Sequence, residues 1–549
     1  MINIEISKCK SLKYWFIAFI LIQPLLDTHY LFTEEVVSKF LISPSTLVRI
    51  AAILIFSILV LYKQNWKKKY YVLVGYILAI CLYTVIHIVN GLSFHSLVPG
   101  DFNFSALNEI FYIIRLILPM LCIFIVYNLD IGRDEFRFTI LSLVIIISGL
   151  IVVTNIFKIS MDSYANQTIS DNIFSWFTNG YKNYGFYGLA SKAFFNFANQ
   201  IAAILCMLLP LCIYFFIQKI DIMSSLALFL QPISMLMLGT KVSTYGSLLI
   251  IVYMIVAYCF FVFVKKELKF KLKTLISIFS VLLLVLVIFP KSPALYRQQI
   301  ANNTAKANKG TMPTSIYRLS ENAISNCNIE FSSALSVQDC ANGNTETPKI
   351  KNIADSMDQN NKIKFIENNY ERLKINKRFI TKSYPYQYDP DFWYEILHEP
   401  IEKRLNYRYL ETSMIKRVKE INNNSLDTWF GIGFSRVSNI YNIERDFVNQ
   451  YYSMGLMGVL LFLFPFVLIV LWGIYQCLRY YKEKFNIFNF SCISSILLVL
   501  GASYFSGNSL DALTVTIILA FICGIIIKFN TKVGSDFNNE KDIDYNANL

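Results

Sequence analysis

Apolar positions run in long blocks divided by short polar intervals, and most blocks have the length of roughly 17 to 25 residues that carries a helix across a bilayer. Twelve such blocks predict twelve membrane-spanning helices, at 13–32, 47–62, 70–90, 110–128, 138–157, 199–217, 223–239, 245–264, 274–290, 449–474, 489–505 and 512–528. The first follows Lys8, Lys10 and Lys13 as a signal peptide would, but it lacks a small-residue cleavage site and is read as retained. With the N-terminus in the cytoplasm, the intervals on the inner side hold 20 lysines and arginines, and the short outer loops hold five, Lys39, Lys158, Lys182, Lys192 and Lys241. That asymmetry obeys the positive-inside rule and orients the bundle, with both termini cytoplasmic.

One interval breaks the rhythm. Residues 291–446 contain no block long enough to span, and the topology puts them outside. The stretch around 301–361 is poor in aromatics and reads as loose or inserted sequence. From Tyr384 to Arg436 the composition turns to Tyr, Trp, Leu and Ile at helical spacing, as in Phe392, Ile396, Leu405, Tyr409, Met414 and Val418, so this half is expected to fold and cap the membrane part. The chain thus divides into helices one to nine (1–290), a large extracytoplasmic loop (291–446), helices ten to twelve (447–528) and a polar tail (529–549) expected to be disordered.

Composition agrees. In 549 residues, 55% are hydrophobic and only 16% charged, which excludes a soluble multidomain protein, a disordered chain and a disulfide-stapled secreted module. The net charge of +13 is mainly the insertion signal, so no nucleic-acid partner is called for. Nine of the 11 cysteines lie in or beside spans as small packing residues; Cys327 and Cys340 stand on the oxidising side, where a disulfide is allowed. The four histidines are scattered, no His/Cys/Asp cluster has metal-ligand spacing, and no Gly-rich phosphate loop is present. Neither a metal nor a cofactor is expected.

Ionisable groups at the edges of spans are costly, by roughly 2.5 to 3.5 kcal/mol near a span centre on insertion scales, and mark functional candidates. They are Asp27, Arg49, Arg115, Lys241 and Asp511, each at the outer end of its helix, and the large loop returns at the same level through Arg436, Glu444, Arg445 and Asp446. Arg49 and Lys241 have the alternative of snorkelling to head groups. Arg115, flanked by Ile113, Ile114, Leu116 and Ile117, must find an anion or a water-filled cavity, and an ion pair with Asp27 would satisfy it. Cations and carboxylates gathered on one side suggest an outer-leaflet pocket for something anionic, such as a lipid-linked phosphate.

Gly431-Ile432-Gly433-Phe434, then Glu444-Arg445-Asp446-Phe447, then Tyr452-Ser453-Met454-Gly455-Leu456-Met457-Gly458 resembles the end-of-loop signature of the bacterial O-antigen polymerase and O-antigen ligase family. Gln23-Pro24-Leu25-Leu26-Asp27, Phe195-Asn196-Phe197-Ala198-Asn199-Gln200 and Leu238-Gly239-Thr240-Lys241 are similar to three further family motifs; Asp27 and Asn199 from these motifs, with Arg49 from the span edges, are supporting candidates. The resemblance implies an all-α integral membrane protein with about twelve transmembrane helices and one large extracytoplasmic loop, GT-C-like, in the bacterial cytoplasmic membrane. It implies a glycosyltransferase taking a polyprenyl-diphosphate-linked oligosaccharide donor and a glycan acceptor, with flippase and chain-length regulator proteins as candidate partners. Ligases carry a histidine eleven residues before the G-x-x-G, where this chain has Glu444, and members often have Ser-Arg where it has Thr240-Lys241. The missing histidine points toward a polymerase-type member.

The chemistry such a site needs is compensation for charge growing on a departing diphosphate and a base for the attacking hydroxyl. Arg115 and Lys241, with Arg408 and Arg436 from the loop, are the expected diphosphate ligands, Arg being suited by its planar fork. Glu444 or Asp446 is the expected base. The alternatives are a solvated helix face for Arg408 and a surface salt bridge to Arg445 for the carboxylates. A lipid-sugar transporter, the rival from another class, predicts midplane charges and paired broken helices rather than charges at one surface.

Overall fold

The computed structural model describes residues 2–31, 43–63, 70–95, 102–164, 167–178, 188–300, 358–441 and 443–531. The first nine apolar blocks form α1 (Ile2–Leu26), α2 (Pro44–Lys63), α3 (Tyr70–Leu92), α4 (Ala106–Asn128), α5 (Arg133–Ile156), α6 (Ala198–Gln218), α7 (Ile222–Met237), α8 (Lys241–Cys259) and α9 (Leu272–Ile288). The segment that follows supplies α10 (Gln359–Asn369), α11 (Pro390–His398), α12 (Tyr407–Asn422), α13 (Leu426–Phe430) and α14 (Phe434–Ile440). The chain ends with α15 (Asp446–Gly458), α16 (Phe464–Arg479), α17 (Ile487–Phe505) and α18 (Leu513–Thr531). β-Type pairing is confined, among the described residues, to two isolated bridges, Met161 with Thr168 and Asp162 with Ser191.

Among the described residues ten stretches are long and apolar enough to cross a membrane; α15 and α16 make one of them, joined through a π turn over Val459–Leu463. The two remaining expected spans fall on shorter apolar helices, Ser11–Leu26 and Ile222–Met237. In α7, Gly239 turns the chain at positive φ two residues after the helix ends, and Thr240 caps α8, its hydroxyl accepting from Ser243 N at 3.2 Å. α6 and α18 are buried along nearly their whole length and form the axis around which the other spans pack.

The folded part of the large loop starts earlier than the aromatic pattern indicated. α10 begins at Gln359, inside the stretch read as loose, because Ile363, Phe365 and Ile366 give it an apolar face that packs on Tyr394 and its neighbours. Residues 358–443 build a second core around Trp393, Tyr384, Leu410 and Met414, with Phe102 reaching in from the α3–α4 connection. Met414 and Val418 are buried in it as the spacing predicts, whereas Leu405 falls on the outside. Cys327, Cys340 and most of the loose stretch lie outside the described residues, as does the chain after Thr531, which still belongs to α18.

Asp27 and Arg49 pair with each other, so the alternative that Asp27 satisfies Arg115 is overturned, and so is snorkelling for Arg49. Arg49 is 2% exposed. Its guanidinium donates to Asp27 Oδ1 at 2.7 Å and Oδ2 at 3.0 Å, to Gln23 Oε1 at 2.8 Å and to Thr514 Oγ1 at 2.6 Å, and Thr514 donates in turn to Asp27. This knot ties α1, α2 and the first turn of α18 together at one end of the bundle. At the other end, Lys528 Nζ donates to Leu129 O at 2.7 Å and Ile131 O at 3.0 Å, holding the chain where it leaves α4.

Breaking a buried pair from one side leaves a charge without compensation. Arg49→Met should cost on the order of 3 kcal/mol, read as a lower unfolding midpoint in detergent, and the double change Arg49→Met with Asp27→Leu should recover most of it.

Candidate functional site

The connection between α17 and α18, residues Phe505 to Asp511, collects the ionisable groups. Arg408 from α12 donates to Phe505 O at 2.8 Å and Ser506 O at 3.2 Å. Asn508 N donates to Glu444 O at 2.8 Å. Asp446 Oδ2 accepts from Ser509 N at 2.9 Å and Leu510 N at 3.0 Å. Arg115 from α4 donates to Asp511 O at 2.8 Å, with the Asp511 carboxylate 4.0 Å away. Arg115, 396 positions before Asp511, therefore hangs on the same backbone segment as Arg408 and Asp446, and that segment supplies both donors and acceptors because past Phe505 it belongs to no helix.

Arg115 opens onto a cleft between α4, the π turn after α15 and the start of α18. Leu116, Pro119, Phe462, Leu463 and Phe466 make its apolar wall, and Arg115, Gln450 and Asp511 its polar rim. The cleft therefore offers a hydrocarbon surface next to a cation. Arg115 is aimed by a stack: its guanidinium lies 5.7 Å from the Tyr112 ring, which is itself stacked on Phe434 at 3.8 Å.

Glu444 accepts from Arg408 Nε at 3.1 Å and Nη2 at 3.0 Å, and both side chains stay about half exposed. It is not paired with Arg445, which donates instead to Thr412 Oγ1 at 2.6 Å. Glu411, one turn along α12 from Arg408, is 3% exposed. Burial, with Glu444 beside it, pushes its carboxyl up to about 7. Sequence reasoning missed Glu411 because α12 reads as an amphipathic helix with ordinary charges; only the docking of 441–445 against it reveals the carboxyl pair.

The G-x-G turn and the G-x-x-G motif interlock through backbone. Ile432 N donates to Tyr452 O at 2.9 Å and Gly433 N to Ser453 O at 3.1 Å. Gly455 breaks α15 with φ 68° and ψ −176°, and a Cβ there would fall 2.4 Å from Gly431 N. Glu109 of α4 holds the start of α14 from the other side, accepting from Phe434 N at 2.9 Å and from Ser435 N at 2.7 Å. His87 Nδ1 donates to Phe430 O at 2.6 Å, and its Nε2 meets Glu109 Oε2 at 3.0 Å. His87 and Glu109 were not singled out in the sequence; isolated in apolar helices, they carried no spacing signal.

The remaining expected residues fall elsewhere. Arg436 is 5% exposed and folded inward, its guanidinium 4.1 Å from the Phe94 ring and 5.0 Å from Phe104, with one bond to Ile432 O at 3.0 Å. Burial pushes it down to about 10. Lys241 is exposed at the first position of α8, and no described hydrogen bond or ion pair links it to the Arg115 group. Asn199 is half-buried in the first turn of α6, and Asp27 and Arg49 stand one turn of α18 beyond Asp511 through Thr514. Asp446 is 2% exposed, its carboxylate turned onto the connection rather than outward.

A family model described as "O-antigen ligase like membrane protein" matches residues 7–532, nearly the whole chain, and the protein belongs to that family. No curated protein matches it.

Two measurements test this geometry. Gly455→Ala places a Cβ into backbone at a conformation that L residues rarely adopt, so its unfolding midpoint should drop sharply, while Gly501→Ala, with open space at its Cβ, should be neutral or slightly stabilising. Folding raises the Glu411 pKa from its ordinary 4.5 to about 7, so its contribution is fully present below pH 4.5 and is lost as pH climbs through 7. The stability of the wild type relative to Glu411→Gln should therefore fall by roughly 1–3 kcal/mol between those limits, and a pH-independent difference would contradict the buried carboxyl.

Proposed function

We propose that this protein is a glycosyltransferase that polymerises polyprenyl-diphosphate-linked oligosaccharide repeat units into a surface polysaccharide, at the outer face of the cytoplasmic membrane. The observation that carries the reading is the Phe505–Asp511 connection, which holds Arg115 beside an apolar cleft while anchoring Glu444 and Arg408. Membership in a family of O-antigen ligase-like membrane proteins supports glycan transfer as the reaction class.

A lipid diphosphate has a hydrocarbon part and a dianionic head, and the cleft has a surface for each. In the proposed reaction the hydroxyl oxygen of the acceptor attacks C1 of the donor glycan, the C1–O bond to the diphosphate breaks, and its electron pair leaves with the diphosphate. Arg115 compensates the charge gained there, by electrostatics that are strong because the surroundings are apolar. Glu444, the accessible carboxylate, takes the proton of the attacking hydroxyl, and Arg408 holds it oriented. Asp446, buried on the backbone of the connection, positions the segment. Arg436 braces the G-x-G turn, and Lys241 serves as an outlying cation for the arriving head group. Direct attack of this kind inverts configuration at C1.

A ligase that passes finished glycan to a different acceptor shares donor and fold, and the family description favours it as the second reading. Purified protein with a lipid-diphosphate oligosaccharide in EDTA should yield a ladder of products, each one repeat longer and still lipid-linked. A single transfer, seen only when a second acceptor is added, would assign the ligase instead. Arg115→Ala and Glu444→Gln should insert normally and lose extension by about a hundredfold or more; ladders of wild-type intensity would remove those roles.

A further inference from the structure

Three buried polar atoms at the cleft have no hydrogen-bond partner among the described residues: Arg115 Nε, Gln450 Oε1 and Asp511 Oδ1. Gln450 is 3% exposed, so its amide cannot turn to bulk water without repacking α15. The Tyr112 hydroxyl, buried and likewise unmet, stands beside the Asp511 carboxylate. Buried groups left unmet in this way are destabilising, and when they converge on a cavity they mark the outline of a ligand.

A diphosphate completes only part of that outline. Its oxygens accept hydrogen bonds from Arg115, but they cannot bond to Asp511 Oδ1, which has no hydrogen to give when ionised, and the two anions repel. Asp511 therefore requires a donor. The Gln450 amide, whichever way round it stands, can meet a group that both donates and accepts. A hydroxyl is that group, and the sugar joined to the diphosphate carries several within reach of any cation that holds the phosphate.

We infer that Asp511 and Gln450 form a subsite for the hydroxyls of the first sugar of the lipid-linked donor, next to the diphosphate held by Arg115. The inference rests on the proposed function and deepens it by assigning recognition of that sugar to two named side chains. Asp511 also limits how tightly Arg115 can hold a bare diphosphate, because its charge opposes the phosphate. The site thereby discriminates a loaded lipid from the sugar-free lipid diphosphate released by the reaction, which keeps the product from occupying the cleft.

The test is calorimetric titration of the purified full-length protein in detergent with farnesyl diphosphate and with a panel of farnesyl-diphosphate-linked monosaccharides. The wild type should bind at least one sugar-bearing ligand about tenfold more tightly than the bare one. Gln450→Leu should shrink that preference to about threefold or less while still binding the bare lipid. Asp511→Asn should lose the preference as well and bind the bare lipid at least as tightly as the wild type. Arg115→Ala should weaken every ligand. The subsite is overturned if the wild type shows no sugar preference, if both variants keep the full preference, or if Gln450→Leu weakens bare and loaded lipid equally. Binding of neither lipid class by the wild type would overturn the donor assignment of the proposed function, and the subsite with it.

Discussion

Everything at the candidate site depends on a stretch of backbone that is not helical. Inside a helix each N–H and C=O is spoken for, so a helix can present only side chains. The turn between the apolar helices α17 and α18 has free backbone groups, and these are what fix Arg408, Glu444, Asp446 and Arg115 in place. The exchange works both ways: the charged side chains satisfy a peptide segment that would be costly to bury bare, and the segment satisfies charges that would be costly to leave in an apolar bundle. Neither partner is stable there alone.

The same economy governs the return of the large loop. Its short helices would stand on the membrane domain with loose ends were it not for Glu109 and His87, which reach up from α4 and α3 to hold the backbone on either side of Gly431 and Gly433. Glycines at positive φ let the two chains approach at backbone distance, and the Phe434 ring then lands on Tyr112, against which Arg115 leans. A motif that looks like a flexible hinge in sequence is thus a rigid coupling between the cap and the cation in the cleft.

Charges that look alike in sequence separate into kinds once their neighbours are known. Arg49 and Arg436 are consumed internally, the first by Asp27 and the second by Phe94, Phe104 and a carbonyl. Arg115 and Glu444 retain exposure and lie next to space or solvent. Lys241 faces outward on its own. Glu411, unremarkable by spacing, becomes a buried carboxyl beside another.

The sequence by itself determined that this is a multi-helix membrane protein and which family it belongs to, because hydrocarbon thickness imposes block length and backbone satisfaction imposes helices. It also showed that polar groups stand at the edges of the apolar blocks, since position along each block is a local property. Which of them meet was decided only by tertiary structure. Arg115 found Asp511 rather than Asp27, and Glu444 found Arg408 rather than Arg445, because pairing depends on the rotation and neighbours of each helix, and no periodicity within a single helix records what packs against it.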